Sequence, residues 1–167
     1  MAATYRLIET ITVGSGGAAS IEFTSIPQTY TDLKVVISSR TDKNTGSASD
    51  ITVQFNSTGT TYTQRNLYGD GSSAASNTPV YIGSTSQATN TASVFGNLEI
   101  YIPNYTGSTQ KSYSTDSVQE NNATTSYQFL SAGLWNGTGA ITTILFGLVS
   151  GNFVQYSSAS LYGIKNS

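Results

Sequence analysis

The sequence predicts an all-β protein: an antiparallel two-sheet β-sandwich of the jelly-roll kind, with about ten short strands. Three observations carry the prediction. Apolar and polar residues alternate with a period of two from one end of the chain to the other. Clusters of Gly, Asn, Asp and Ser interrupt that alternation at short intervals. No stretch carries a strong helical pattern. The 167 residues, undivided by a charge run or a Pro-rich linker, are expected to form one domain over residues 1–167.

The first strand places Tyr5, Leu7, Ile11 and Val13 on one parity, and Ile21 and Phe23 continue it after Gly14-Ser15-Gly16-Gly17. This opening reads as a hairpin. Strands are then expected at residues 33–40, 51–56, 60–68, 79–82, 94–102 and 111–119, each short and rich in β-branched or aromatic residues. Between them lie the turn formers Asp42-Lys43-Asn44-Thr45-Gly46, Asp70-Gly71-Ser72-Ser73 and Pro103-Asn104-Tyr105-Thr106-Gly107. Residues 127–135, 140–149 and 153–161, separated by Asn136-Gly137-Thr138-Gly139 and Ser150-Gly151-Asn152, read as a three-stranded antiparallel meander.

The stretch 140–149 departs from simple alternation. Ile141, Leu145 and Val149 lie on one parity and Ile144, Phe146 and Leu148 on the other, so both faces want to be dry. One face meets the core. The second is expected to meet another subunit, with Ile144, Phe146 and Leu148 as the interface; the alternative is a roof of the chain's own, such as the stretch 70–78.

Composition excludes several function classes. Charged residues make up 10% of the chain, against about 25% in an average soluble domain, so the surface is largely neutral and polar. Eleven Tyr, six Phe and one Trp at a net charge of −2 supply a core and argue against disorder. The seven basic residues, Arg6, Lys34, Arg40, Lys43, Arg65, Lys111 and Lys165, are scattered, which argues against direct nucleic-acid binding. No Cys and no His means no disulfide, no thiolate chemistry, no Ser-His-Asp triad and no His or Cys metal ligands. No cofactor is expected. The N-terminus lacks the apolar stretch of a signal peptide and no run reaches the roughly 18 apolar residues of a membrane helix, so the chain is expected to stay in the cytoplasm where it is made.

Paired carboxylates are the remaining route to hydrolysis. Asp116 and Glu120 share a strand face but lie roughly 13 Å apart, beyond the separation that flanks one glycosidic bond. Glu9 and Glu22 face each other if the first hairpin forms, where solubilising surface residues are the simpler reading. The run from Asp42 lacks the bidentate acid of a calcium loop, since Val53 stands there, and it reads as a turn. The glycines at 14–17 lead into a strand rather than a helix, so they serve a turn and not a phosphate. Sequons at Asn56, Asn104, Asn122 and Asn136 are what a chain rich in Asn, Ser and Thr produces by chance. Tyr105 and Trp135 could each present a ring to a sugar, although burial is the commoner fate of such residues. A non-enzymatic structural or binding protein is expected.

Four stretches together carry a resemblance: Ile26-Pro27-Gln28-Thr29-Tyr30-Thr31-Asp32-Leu33, Val53-Gln54-Phe55-Asn56, Asn66-Leu67-Tyr68-Gly69-Asp70-Gly71, and Ser160-Leu161-Tyr162-Gly163-Ile164. They resemble structural virion proteins of tailed bacteriophages that infect cyanobacteria and marine bacteria. The resemblance implies a capsid decoration (cement) protein that stabilises the head at junctions of the major capsid protein, or alternatively a tail-fibre or receptor-binding module that takes a host surface glycan. Either is implied to assemble as a homo-oligomer, a trimer of β-sandwich subunits, within a virion built in the host cytoplasm. The short chain, free of repeats and heptads, favours decoration. Under the receptor-binding alternative, the stretches 42–49 and 70–78 are expected to gather at one end.

Overall fold

The computed structural model describes residues 4–46, 48–57, 62–122 and 126–165. Among them it forms twelve strands and no helix. An eight-stranded antiparallel sheet holds β1 (Tyr5–Thr12), β3 (Asp32–Ser39), β5 (Tyr62–Gly69), β6 (Ala74–Asn77), β8 (Gly96–Ile102), β9 (Lys111–Gln119), β10 (Tyr127–Trp135) and β12 (Ser158–Ile164). Their order is β1-β12-β3-β8-β9-β10-β5-β6. A four-stranded antiparallel sheet holds β2 (Ser20–Phe23), β4 (Ser49–Phe55), β7 (Gly83–Thr85) and β11 (Ile144–Leu148), in the order β2-β11-β4-β7.

Alternation decides what each sheet buries. Val35, Ile37, Leu98, Ile100 and Leu161 of the large sheet and Ile21, Phe23, Ile51, Phe55, Ile144 and Phe146 of the small one belong to a single buried cluster. Aromatic rings fill its gaps: Phe55 meets Tyr113 and Trp135 edge-on at centroid distances of 5.6 and 5.7 Å. The Tyr113 ring lies on Gly133, its direct cross-strand partner, so closely that a Cβ there would fall 2.1 Å from the ring. Gly163 seats Tyr30 in the same way.

The strand count is twelve rather than ten, and the pairing differs from the sequence expectation at both ends. The first two strands form no hairpin, because β1 pairs with β12 in the large sheet and β2 with β11 in the small one. Gly14-Ser15-Gly16-Gly17 is a corner: Gly17 adopts a φ of 70° and donates to the Gly14 carbonyl, and the next residue, Ala18, pairs with Phe153. The expected closing meander is likewise absent. β10 pairs with β9 and β5, β11 with β2 and β4, and β12 with β1 and β3. Alternation shows which face of a strand is apolar, but it does not show which sheet the strand joins.

Residues 79–82, expected as a strand, form none. They cross the inner face of the large sheet, whose inward residues there are polar and hold the crossing backbone. Thr115 and Ser131 donate to the Ile82 carbonyl at 2.6 and 3.3 Å, and Gln64 and Asn66 reach the Tyr81 carbonyl at 3.4 Å. The stretch 70–78 is no roof over another strand. Asp70 caps a tight turn by accepting from the Ser72 and Ser73 amides, and β6 then forms the edge of the large sheet. Residues 60 and 61 of the strand expected at 60–68, and Ser47 of the Asp42 stretch, lie outside the described residues.

Candidate functional site

The large sheet has twice as many strands as the small one, and its outer face carries most of the molecule's exposed apolar side chains. Cross-strand pairing aligns Thr10, Ser160, Val36, Glu99, Asp116, Leu130, Leu67 and Ser76 in one row across all eight strands. Val36, Leu130 and Leu67 in that row are 42, 49 and 56% exposed. A neighbouring row runs Leu7, Tyr162, Lys34, Tyr101, Ser114, Ala132 and Arg65. Leu7 and Tyr101 are exposed there too, and Tyr5 shares a surface groove with Lys34, Val36 and Tyr162. A second groove of about 410 Å³ follows β5 and β10, with Leu67, Ala74, Val118 and Leu130 in its lining. A monomeric sheet face open to water normally alternates to polar residues. This one is studded with Leu, Val and Tyr.

Charge on the face is sparse. Glu99 and Asp116 are direct cross-strand partners on β8 and β9, the two middle strands of the row. Lys34 answers Glu99 at 2.8 Å, and no cation answers Asp116 among the described residues.

The residues expected to form a subunit interface are elsewhere. Ile144 and Phe146 are fully buried between the two sheets of the single chain, and Leu148 is half-buried against the same core. Their side chains therefore belong to the interior, which corrects the expectation. The opposite parity of β11 is the outward one, with Leu145 half-buried and Val149, just beyond the strand, 58% exposed. Tyr105 and Trp135 are buried in the core and present no ring to ligand.

Glu9 and Glu22 lie on strands of different sheets and do not face each other. Asp42 is tied to the chain itself, accepting from the Asn152 amide at 2.7 Å and its side chain at 3.1 Å, and these bonds hold its carboxyl below the ordinary range. Among the described residues no group of three or more acidic side chains is placed to hold a metal. Of the stretches 42–49 and 70–78, the first contributes Ala48 to a cleft that Asp50, Tyr68 and Tyr81 also line, and no residue of 70–78 is in that lining.

Of the stretches behind the resemblance, several polar residues are latches of the fold. Asp32 accepts from the Tyr101 hydroxyl at 2.8 Å and the Asn104 amide at 2.9 Å. Asn56, with a φ of 54°, donates to the Ala140 carbonyl and accepts from the Thr142 and Thr143 amides. The chain matches no protein-family model, no curated protein and no solved structure.

Proposed function

We propose that the chain is a non-enzymatic structural protein of a tailed-phage virion, a capsid decoration protein that lays the outer face of its eight-stranded sheet on major capsid subunits. The apolar-studded row across all eight strands carries the reading. With the row on its other side, Thr12, Ser158, Ser38, Asn97, Val118, Gln128, Gly69 and Ala74, the face spans roughly 34 by 20 Å, or about 700 Å², close to the ~800 Å² that each partner of a stable interface contributes. Capsid is favoured over a second copy because a two-fold contact through the centre of the row would set Glu99 and Asp116 against themselves, like charge on like charge in a drying interface. A partner offering a basic group opposite Asp116 fits instead. Repeated attachment over a shell then multiplies a modest contact, so no single residue carries the function.

The same proposal takes the fold as a jelly-roll-like sandwich. With β5, β6, β9 and β10 set aside, the sheets run β1-β12-β3-β8 and β2-β11-β4-β7. That order supports two interleaved Greek keys, and the four remaining strands widen one sheet. The placement in a phage rests on the resemblance of the four stretches. A receptor-binding module of the tail is the second reading, favoured by a tyrosine-lined cleft on the opposite face of the sheet.

Co-sedimentation with shells of the major capsid protein tests the first reading. The wild-type chain is expected to pellet with shells, and the Leu67→Glu/Leu130→Glu variant, folded by circular dichroism, to stay in solution. A double variant that binds like wild type contradicts the proposal.

A further inference from the structure

The inner face of the large sheet carries an aromatic floor. Tyr68 and Phe129 are direct cross-strand partners with ring centroids 5.4 Å apart and planes 27° apart. Tyr127, two residues before Phe129 on the same strand, lies 5.9 Å from it at 29°. Both tyrosines are thus stacked with Phe129. Tyr81 stands against them, edge-on to Phe129 at 6.0 Å and 89°, and its hydroxyl accepts from the Asn77 side-chain Nδ2 at 3.1 Å. Ala48 and Asp50 close the other side, leaving a cleft of about 260 Å³. Phe129 is buried beneath, whereas the three tyrosines and Asp50 are half-buried and reach solvent.

The floor has no structural use for the Asp50 carboxylate. The described residues give it no hydrogen bond, and burial pushes its carboxyl up while the charge of Lys43 acts the other way. The Lys43 ammonium is itself held by the Ala48 carbonyl at 2.9 Å. A carboxylate half-buried without a donor among the described residues, beside tyrosine rings that reach solvent, is a poor way to finish a core and a good way to meet hydroxyl groups.

We infer that this cleft binds a neutral sugar ring, one unit of a surface glycan, packed against Tyr68, Tyr81 and Tyr127 with its hydroxyls donating to Asp50. The apolar C–H face of a sugar matches an aromatic floor, and vicinal hydroxyls match a carboxylate. The volume lies just below the ~300 to 1,000 Å³ of pockets for drug-sized ligands, which suits a single ring. Lys43 and Asp50 nearly cancel in charge, so neither an anionic nor a cationic ligand is drawn in. The site lies on the face opposite the capsid-docking row, so either assignment can fail while the other stands.

Saturation-transfer NMR on the full chain tests the inference, with methyl glycosides of glucose, galactose, mannose and N-acetylglucosamine as probes and choline and inorganic phosphate as controls. At least one glycoside is expected to bind saturably and both controls to stay silent. Asp50→Asn, which keeps size and shape, and Tyr127→Ala are each expected to weaken binding about tenfold or more, and Leu130→Glu on the opposite face to leave it unchanged. Folding of each variant is checked by circular dichroism. Silence from all four glycosides, binding of choline or phosphate in their place, or full binding by folded Asp50→Asn would overturn the assignment.

Discussion

Two cations are buried without a carboxylate among the described residues, and backbone carbonyls take that place. The Arg40 guanidinium reaches the carbonyls of Thr91 and Val94 at 2.9 and 2.8 Å and those of Asn90 and Ala88 at 3.2 and 3.4 Å, pinning the stretch before β8. The Lys111 ammonium gathers the Gly107 and Gly139 carbonyls at 2.6 and 3.0 Å and sits 5.7 Å from the Trp135 ring. Lys111→Met leaves those carbonyls without a donor and is expected to cost about 1–3 kcal/mol in urea unfolding; an unchanged midpoint would show that water serves as well. Gly133→Ala forces a methyl group into the Tyr113 ring and is expected to cost about 1–3 kcal/mol by the same measurement, whereas a neutral result would mean the ring has room to move. Acid acts on Asp70, whose bonds from the Ser72 and Ser73 amides lower its carboxyl from 3.8 to about 2. A lowered folded value means the contribution is fully present above 3.8 and is lost as pH falls through about 2. A carboxyl NMR titration is expected to show that midpoint; one at 3.8 would deny the cap.

Strand positions were largely legible in the sequence because a two-residue period is local. Pairing was not, because β1 to β2 and β10 to β11 to β12 change sheets at Gly-rich corners that look like hairpin turns. The two-parity pattern at 140–149 identified a strand that is apolar beyond need, but it assigned the wrong parity to the surface. Phe146→Asp is therefore expected to abolish folding rather than assembly, seen as loss of the cooperative thermal transition, while Leu130→Glu melts within a degree or two of wild type. A folded Phe146→Asp chain would contradict the core assignment. The same two-parity signal is present in Val35-Val36-Ile37, Leu67-Tyr68 and Phe129-Leu130, where each outward member lies on the exposed face. Read beside one another, those runs point to an apolar-studded outer row; the row itself appears only once pairing sets β3, β5 and β10 in one sheet. The tyrosine cleft was less legible still, since Asp50, Tyr68, Tyr81 and Tyr127 come from four separate stretches.

Taken together, the two sheets divide the labour. The small sheet closes the core, and the four strands that widen the large one lengthen the outer apolar-studded row to eight strands and carry Tyr68, Tyr127 and Phe129 on the inner face. A wide sheet with one apolar-studded outer face and few charges is what attachment to a larger assembly requires, and cementing adds only stability, with no chemistry. The trimer implied by the resemblance would use other surfaces, and a trimer in solution that Leu130→Glu dissolves would hand the row to self-association. Immunogold labelling of purified virions with antibody to this chain tests the proposal most directly. Dense label over the head is the predicted result; label confined to the tail tip, or absent from the particle, would contradict it.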